Sequence, residues 1–127
     1  MVDDLLFAYL EPRFADFDKL WGSVVPDNVP PPYIVFDLVS TTQSHTHDAP
    51  VPIIRARVQF IFYAETKQQA KGLSQDVRRL LNGLKNTTVG ERSIEYIRWD
   101  NQRDIYGPNV KLFQVLDDYI VFCEGSD

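Results

Sequence analysis

One cysteine stands in the whole chain, Cys123. A single thiol closes no intrachain disulfide and builds no Cys-rich zinc site. Only two histidines occur, His45 and His47, so a three-histidine metal centre is excluded. Long apolar runs are missing as well. The longest near the start is Leu5 to Leu10, far short of the ~18–20 residues that a membrane-spanning helix needs. The start, Met1-Val2-Asp3-Asp4, is acidic where a secretory leader is basic. We therefore expect no membrane partner and a reduced, cytoplasmic setting. Nucleophile-elbow, P-loop and dinucleotide-binding glycine motifs are absent. Basic residues are in deficit: Lys and Arg number 13 against 18 Asp and Glu, for a net charge of −5. That balance argues against a protein whose task is to grip nucleic acid by its phosphates. No solenoid-period repeat or like-charge block is present.

What is there is a globular pattern. Hydrophobic residues make up 44% of the 127 and aromatics 13%, enough for a core without staples. The length suits one domain, residues 1–127. Leu5, Leu6, Tyr9 and Leu10 recur at helical spacing behind Asp3 and Asp4. Pro12 either ends that helix or opens its continuation, since Phe14, Phe17, Leu20 and Trp21 keep the spacing up to Gly22. Val24-Val25 reads as a very short strand before a proline-rich loop, Pro26 to Pro32. Tyr33 to Thr41 is a strand with Ile34, Phe36 and Leu38 on one face. Thr42 to Pro52 is a polar loop, or the tip of a hairpin. Ile53 to Ala64 is the clearest strand. Ile54, Ala56, Val58, Phe60 and Phe62 line one face, and Arg55, Arg57 and Gln59 open the other.

Thr66 to Leu84 is the clearest helix. Thr66 and Gln69 form a capping box, and Ala70, Leu73, Val77, Leu80, Leu81 and Leu84 make one stripe. Gly83 is its candidate C-terminal cap. Lys85 to Glu91 reads as a loop. In the strand Ser93 to Asp100, Ile94 and Tyr96 face away from Ile97 and Trp99. A turn follows over Asn101 to Asn109, then a last strand, Val110 to Cys123. The order gives an α+β domain. It has a mainly antiparallel sheet of about four to five strands, with the long amphipathic helix and the N-terminal helix on one face.

Chemistry is sparse. On an extended backbone His45 and His47 point the same way, as two metal ligands do, yet no third histidine exists to complete a centre. The carboxylate pairs Asp3/Asp4, Asp16/Asp18 and Asp117/Asp118 read as solvated faces, because neighbours on a strand point to opposite sides. Asp118 shares the phase of Leu116 and Ile120. Cys123 reads as a packing residue. Arg55, Arg57 and Gln59 on one strand face suit either solvent or a second subunit, where arginine is enriched.

Three segments together resemble the tail completion, or tail terminator, proteins of long-tailed bacteriophages and prophages. They are the run Val24-Val25-Pro26-Asp27-Asn28-Val29-Pro30-Pro31-Pro32-Tyr33-Ile34-Val35-Phe36, the strand Arg57 to Ala64, and the helix from Glu65 through Leu81. The resemblance spans roughly residues 5–122. It implies a structural virion protein with no catalytic residues and no cofactor. It further implies a self-assembled ring, usually of six copies, in the tail or neck, assembled in the host cytoplasm. Such a ring caps the last layer of tail-tube protein, ends polymerisation and offers its other side to the head-completion or connector protein. DNA passes through without specific binding. Candidate subunit-interface residues are Arg55, Arg57, Gln59, Pro30, Pro31, Pro32, His45 and His47. The alternatives are another head–tail connector component, or a small metal-binding module on His45 and His47.

Overall fold

A computed structural model describes residues 2–15, 17–22, 30–44, 53–107 and 112–124. Its elements are α1 (Val2–Leu10), a short 3₁₀ turn (Phe17–Lys19), β1 (Leu20–Gly22), β2 (Tyr33–Ser44), β3 (Ile53–Ala64), α2 (Lys67–Leu81), β4 (Lys85–Val89), β5 (Arg92–Gly107) and β6 (Leu112–Glu124). The six strands form one sheet in the order β1-β2-β3-β6-β5-β4. Every neighbouring pair is antiparallel except β1 with β2. The α+β architecture is as expected, but the sheet has six strands rather than four to five.

The two extra strands are the edges, and each has a physical reason for escaping a reading of sequence pattern. β1 lies where helical spacing predicted a continued helix. Instead α1 ends at Leu10, Arg13 and Phe14 turn back onto the Leu10 carbonyl, and Leu20 to Gly22 pairs with Ile34 to Phe36. The apolar spacing reports burial of Phe14 and Leu20, not helical backbone. β4 lies where a loop was expected. Its sequence Lys-Asn-Thr-Thr-Val has one apolar residue because only one side of one edge is covered. Gly90, at φ 61°, opens the two-residue loop that joins β4 to β5. Val24-Val25 lies outside the described residues.

The other elements follow their sequence signals closely. β3 starts at Ile53 and stops at Ala64, as read. Thr66 caps α2, its hydroxyl accepting from the Gln69 amide at 3.2 Å. Asn82 ends the helix, and Gly83 follows at φ 83°, the left-handed position that favours glycine. Gly83 donates to the Ile97 carbonyl, and Leu84 accepts from the Ile97 amide, so the helix exit is stitched to β5. β2 runs on to Ser44, which pairs with Ile53. The two strands thus stay paired as far as Ser44 and Ile53, and residues 45–52 lie outside the described residues. β5 runs on to Gly107 through residues expected to turn.

Three single-residue bulges interrupt the ladders, at Val39, Glu95 and Asp100. The second corrects the faces read for β5. With Glu95 as the extra residue, Ile94, Ile97 and Trp99 share the core side, and only Tyr96 of the four turns away to stack on Phe122. Both helices lie on one side of the sheet. Val2, Leu5, Leu6, Tyr9 and Leu10 of α1 and Ala70, Leu73, Val77 and Leu81 of α2 share a core with Phe36, Val58, Phe60, Phe62, Val115, Tyr119 and Val121. α1 touches both β2 and β4, on opposite flanks of the sheet, so the sheet curls around it. Among the described residues the other side carries no helix.

A buried polar clasp and an open ion-paired face

The sheet has two unlike faces, and consecutive residues of β6 lead into each. Asp117 falls in phase with Val115, Tyr119 and Val121 and is fully buried under α2. This corrects the solvated reading. Its phase with core residues of β6 is the signal the sequence carries for this burial. Four side chains hold the Asp117 carboxylate. The Ser74 hydroxyl on α2 donates to Oδ2. The Gln102 amide donates to Oδ1 at 2.8 Å and to Ser74 Oγ at 3.0 Å. The Trp99 indole N–H donates to Oδ1 at 3.3 Å. Arg78 Nη2 stands 4.0 Å from Oδ1, with its guanidinium 4.2 Å above the Trp99 ring. A buried charge is tolerable only when its lone pairs are used in this way. The bulge at Asp100 lies between Trp99 and Gln102. It keeps both on the helix side, where they reach the carboxylate.

Two polar atoms of this clasp are buried without a hydrogen-bond partner, Arg78 Nε and the Tyr119 hydroxyl. Burial pushes the Tyr119 phenol far above the ordinary tyrosine value, and the Asp117 charge adds to this while Arg78 opposes it. Burial likewise raises the Cys123 thiol, which is fully enclosed. That fits the packing role read for it, since a raised thiol holds little reactive thiolate.

The open face carries Arg55, Arg57 and Gln59 of β3, as the alternation required. Arg57 and Gln59 are already engaged. Arg57 reaches Asp100 at 3.1 Å and Asp118 at 3.6 Å, and Gln59 donates to Asp118 at 3.1 Å. Arg98 pairs with Asp100 at 2.9 Å. Burial tends to raise the Asp100 carboxyl, but hydrogen bonds and charge from Arg57, then Arg98, outweigh it and hold the group below its ordinary value. Arg55 is exposed nearer the β2–β3 hairpin tip. Tyr33 and Tyr63 stack at 4.8 Å toward the opposite end. Pro31 and Pro32, joined by a cis peptide, are half-buried, and Pro30 is exposed. His45 and His47 lie outside the described residues.

Nothing in either cluster resembles a nucleophile with its base, and no cofactor-binding cradle stands out among the described residues. Both clusters join strands or helices to one another. Comparison with known proteins agrees in kind. The family model described as tail completion protein gp17 matches residues 14–124. The chain belongs to that family. As a tail completion protein it is a structural virion component with a part in building a phage-type tail. The match takes in the whole sheet and α2. In fold, the tail completion protein is similar to a chain of a solved structure titled "Virion of native gene transfer agent (GTA) particle". The TM-score is 0.73, with 98% of each chain covered and 11% identity. None of the curated proteins matches the sequence.

Proposed function

We propose that this tail completion protein closes into a ring of six copies that caps the last layer of tail-tube protein. The ring stops further growth and offers its far side to the head-completion protein. Family membership over residues 14–124 is the observation that carries this reading. Both polar clusters tie strands or helices of the subunit to one another, which suits a structural role. A ring repeats one heterologous contact until it closes. Arg57 and Gln59 are engaged within their own subunit, which leaves exposed Arg55, the prolines Pro30, Pro31 and Pro32 leading into β2, and the segment bearing His45 and His47 as further candidates for the rim of that contact. The chain acts as one unit, residues 1–127, and needs no cofactor. DNA passes the open face without specific binding, because Arg57 and Arg98 are neutralised there by Asp100 and Asp118 and the chain as a whole is acidic. The ring sits at the neck of the virion after assembly in the host cytoplasm.

Electron microscopy of particles lacking the protein tests the reading. Overlong, headless tails are expected. Tails of normal length without heads would assign the chain to a head-side adaptor instead. An assembled ring of six has a mass of about 88 kDa, from 14.7 kDa per copy.

A further inference from the structure

Besides the outer rims of the short strands β1 and β4, the sheet leaves two longer stretches of strand edge open among the described residues, and they are complementary. β1 pairs only with Ile34 to Phe36, at the start of β2. β4 pairs only with Ile94 and its neighbours as far as Tyr96, at the start of β5, and the α2 exit takes Ile97 and Trp99. What remains is the second half of β2, through Ser44, on one flank, and the second half of β5, Asn101 to Gly107, on the other. These strands run antiparallel to each other within the subunit, through β3 and β6. Register across the sheet puts Asp37 level with Gln59, Asp118 and Asn101. The open half of β2 therefore lies above that level and the open half of β5 below it.

We infer that these two edges pair with each other between neighbouring copies, β5 of one against β2 of the next, in one antiparallel ladder. This rests on the ring reading above and names the contact that closes it. Four features favour a second copy over any other occupant. All three exposed large apolar side chains of the described residues lie on these edges: Val39 at 54% on β2, and Ile105 at 45% and Tyr106 at 48% on β5. The polarity is right, because copies with the same orientation around an axis bring an antiparallel pair together. The offset is right too. Matching the lower half of β5 to the upper half of β2 slides each copy along the strands, so that β4 of one copy lies above the neighbour's β2, and the neighbour's β1 lies below β5. A sheet that closes on itself requires just such a stagger, with strands tilted to the axis. Ser40 to Ser44 also lacks the lysine and proline that usually blunt an exposed edge. In this arrangement the helices point outward and the ion-paired face of Arg57, Asp100 and Asp118 lines the bore.

Hydrogen exchange on the unaltered protein, free and assembled on tail tubes, is the first test. Assembly is expected to slow amide exchange at least tenfold within residues 40–44 and 101–107, and to leave β3 and β6 unchanged. Disulfide trapping is the second, with Val39→Cys and Thr41→Cys on β2 and Arg103→Cys and Ile105→Cys on β5. Chains carrying one cysteine from each strand are expected to form covalent ladders up to the full ring. Cys123 stays silent because it is enclosed. Assembly without protection at these edges, or with β2–β2 and β5–β5 links instead, overturns the edge pairing and leaves the ring standing. A chain that stays monomeric alone and on tail tubes overturns both.

Discussion

Asp117 and Asp118 are consecutive, carry the same functional group, and each meet an arginine and a glutamine. One is sealed between helix and sheet, and the other lies on an open face at the edge of water. The pairing motif is nearly the same, so the difference in their physical weight comes from the medium. Under α2, the carboxylate has lost its hydration and depends on Ser74, Gln102, Trp99 and Arg78. On the open face, Asp118 keeps 13% of its side chain exposed and its partner Arg57 33%, so water offsets part of a lost contact. The first site holds the subunit together, and the second adjusts the charge of a surface. Each can be moved independently.

The largest effect expected is from Asp117→Ala. Removing one partner of a buried charged group leaves the others unpaired and costs about 3–5 kcal/mol. Chemical denaturation of the isolated chain measures it, and a loss below about 1 kcal/mol would show that the clasp is hydrated after all. Asp118→Ala is expected to cost less, about 1–3 kcal/mol in the same assay, since its side chain keeps 13% exposure and its partner Arg57 is one-third exposed and retains Asp100. If the two substitutions cost the same, the contrast between the faces is wrong. Tyr119→Phe should change stability by less than about 1 kcal/mol in either direction, because its buried hydroxyl makes no close hydrogen bond and has only the Arg78 guanidinium beside it. The same substitution sharpens the alkaline limb. The folded state keeps the Tyr119 proton more tightly than the unfolded chain does. Its contribution is full below the ordinary tyrosine value and fades as pH rises above it, and the Phe variant loses that dependence. The smallest effect is on the acid side. Asp100 is held below its ordinary value, so its contribution is present above that value and is lost as pH falls through the depressed one. Asp100→Asn should slightly flatten the acid limb of a pH–stability curve, and a steeper limb would contradict the assignment.

Much of this arrangement was legible in the residues. β3 and α2 carry strong periodicity and clear ends, from Ala64 through the Thr66 cap to Gly83, because each presents one face to a core and one to water. Periodicity fails where an edge strand is too little covered to show an apolar stripe or where its phase is reset. β4 is a polar edge, and β1 is three residues of a run whose spacing imitates a helix. β5 changes phase at Glu95 and again at Asp100, which hid the grouping of Trp99 and Gln102 on one side. The clasp could be anticipated only from the company Asp117 keeps on β6. Its partner Ser74 lies on the helix stripe between Leu73 and Val77, where a small hydroxyl gives no signal until the carboxylate opposite is placed.

The three bulges have a consequence for dimensions. Each inserts one amino acid into a ladder that otherwise alternates without error, and each bends and twists its strand. Shortening the chain by one residue at Val39 or Glu95 keeps every remaining side chain on its own side and only straightens the backbone there. The curvature of this sheet is thus set residue by residue, separately from the packing that makes it stable.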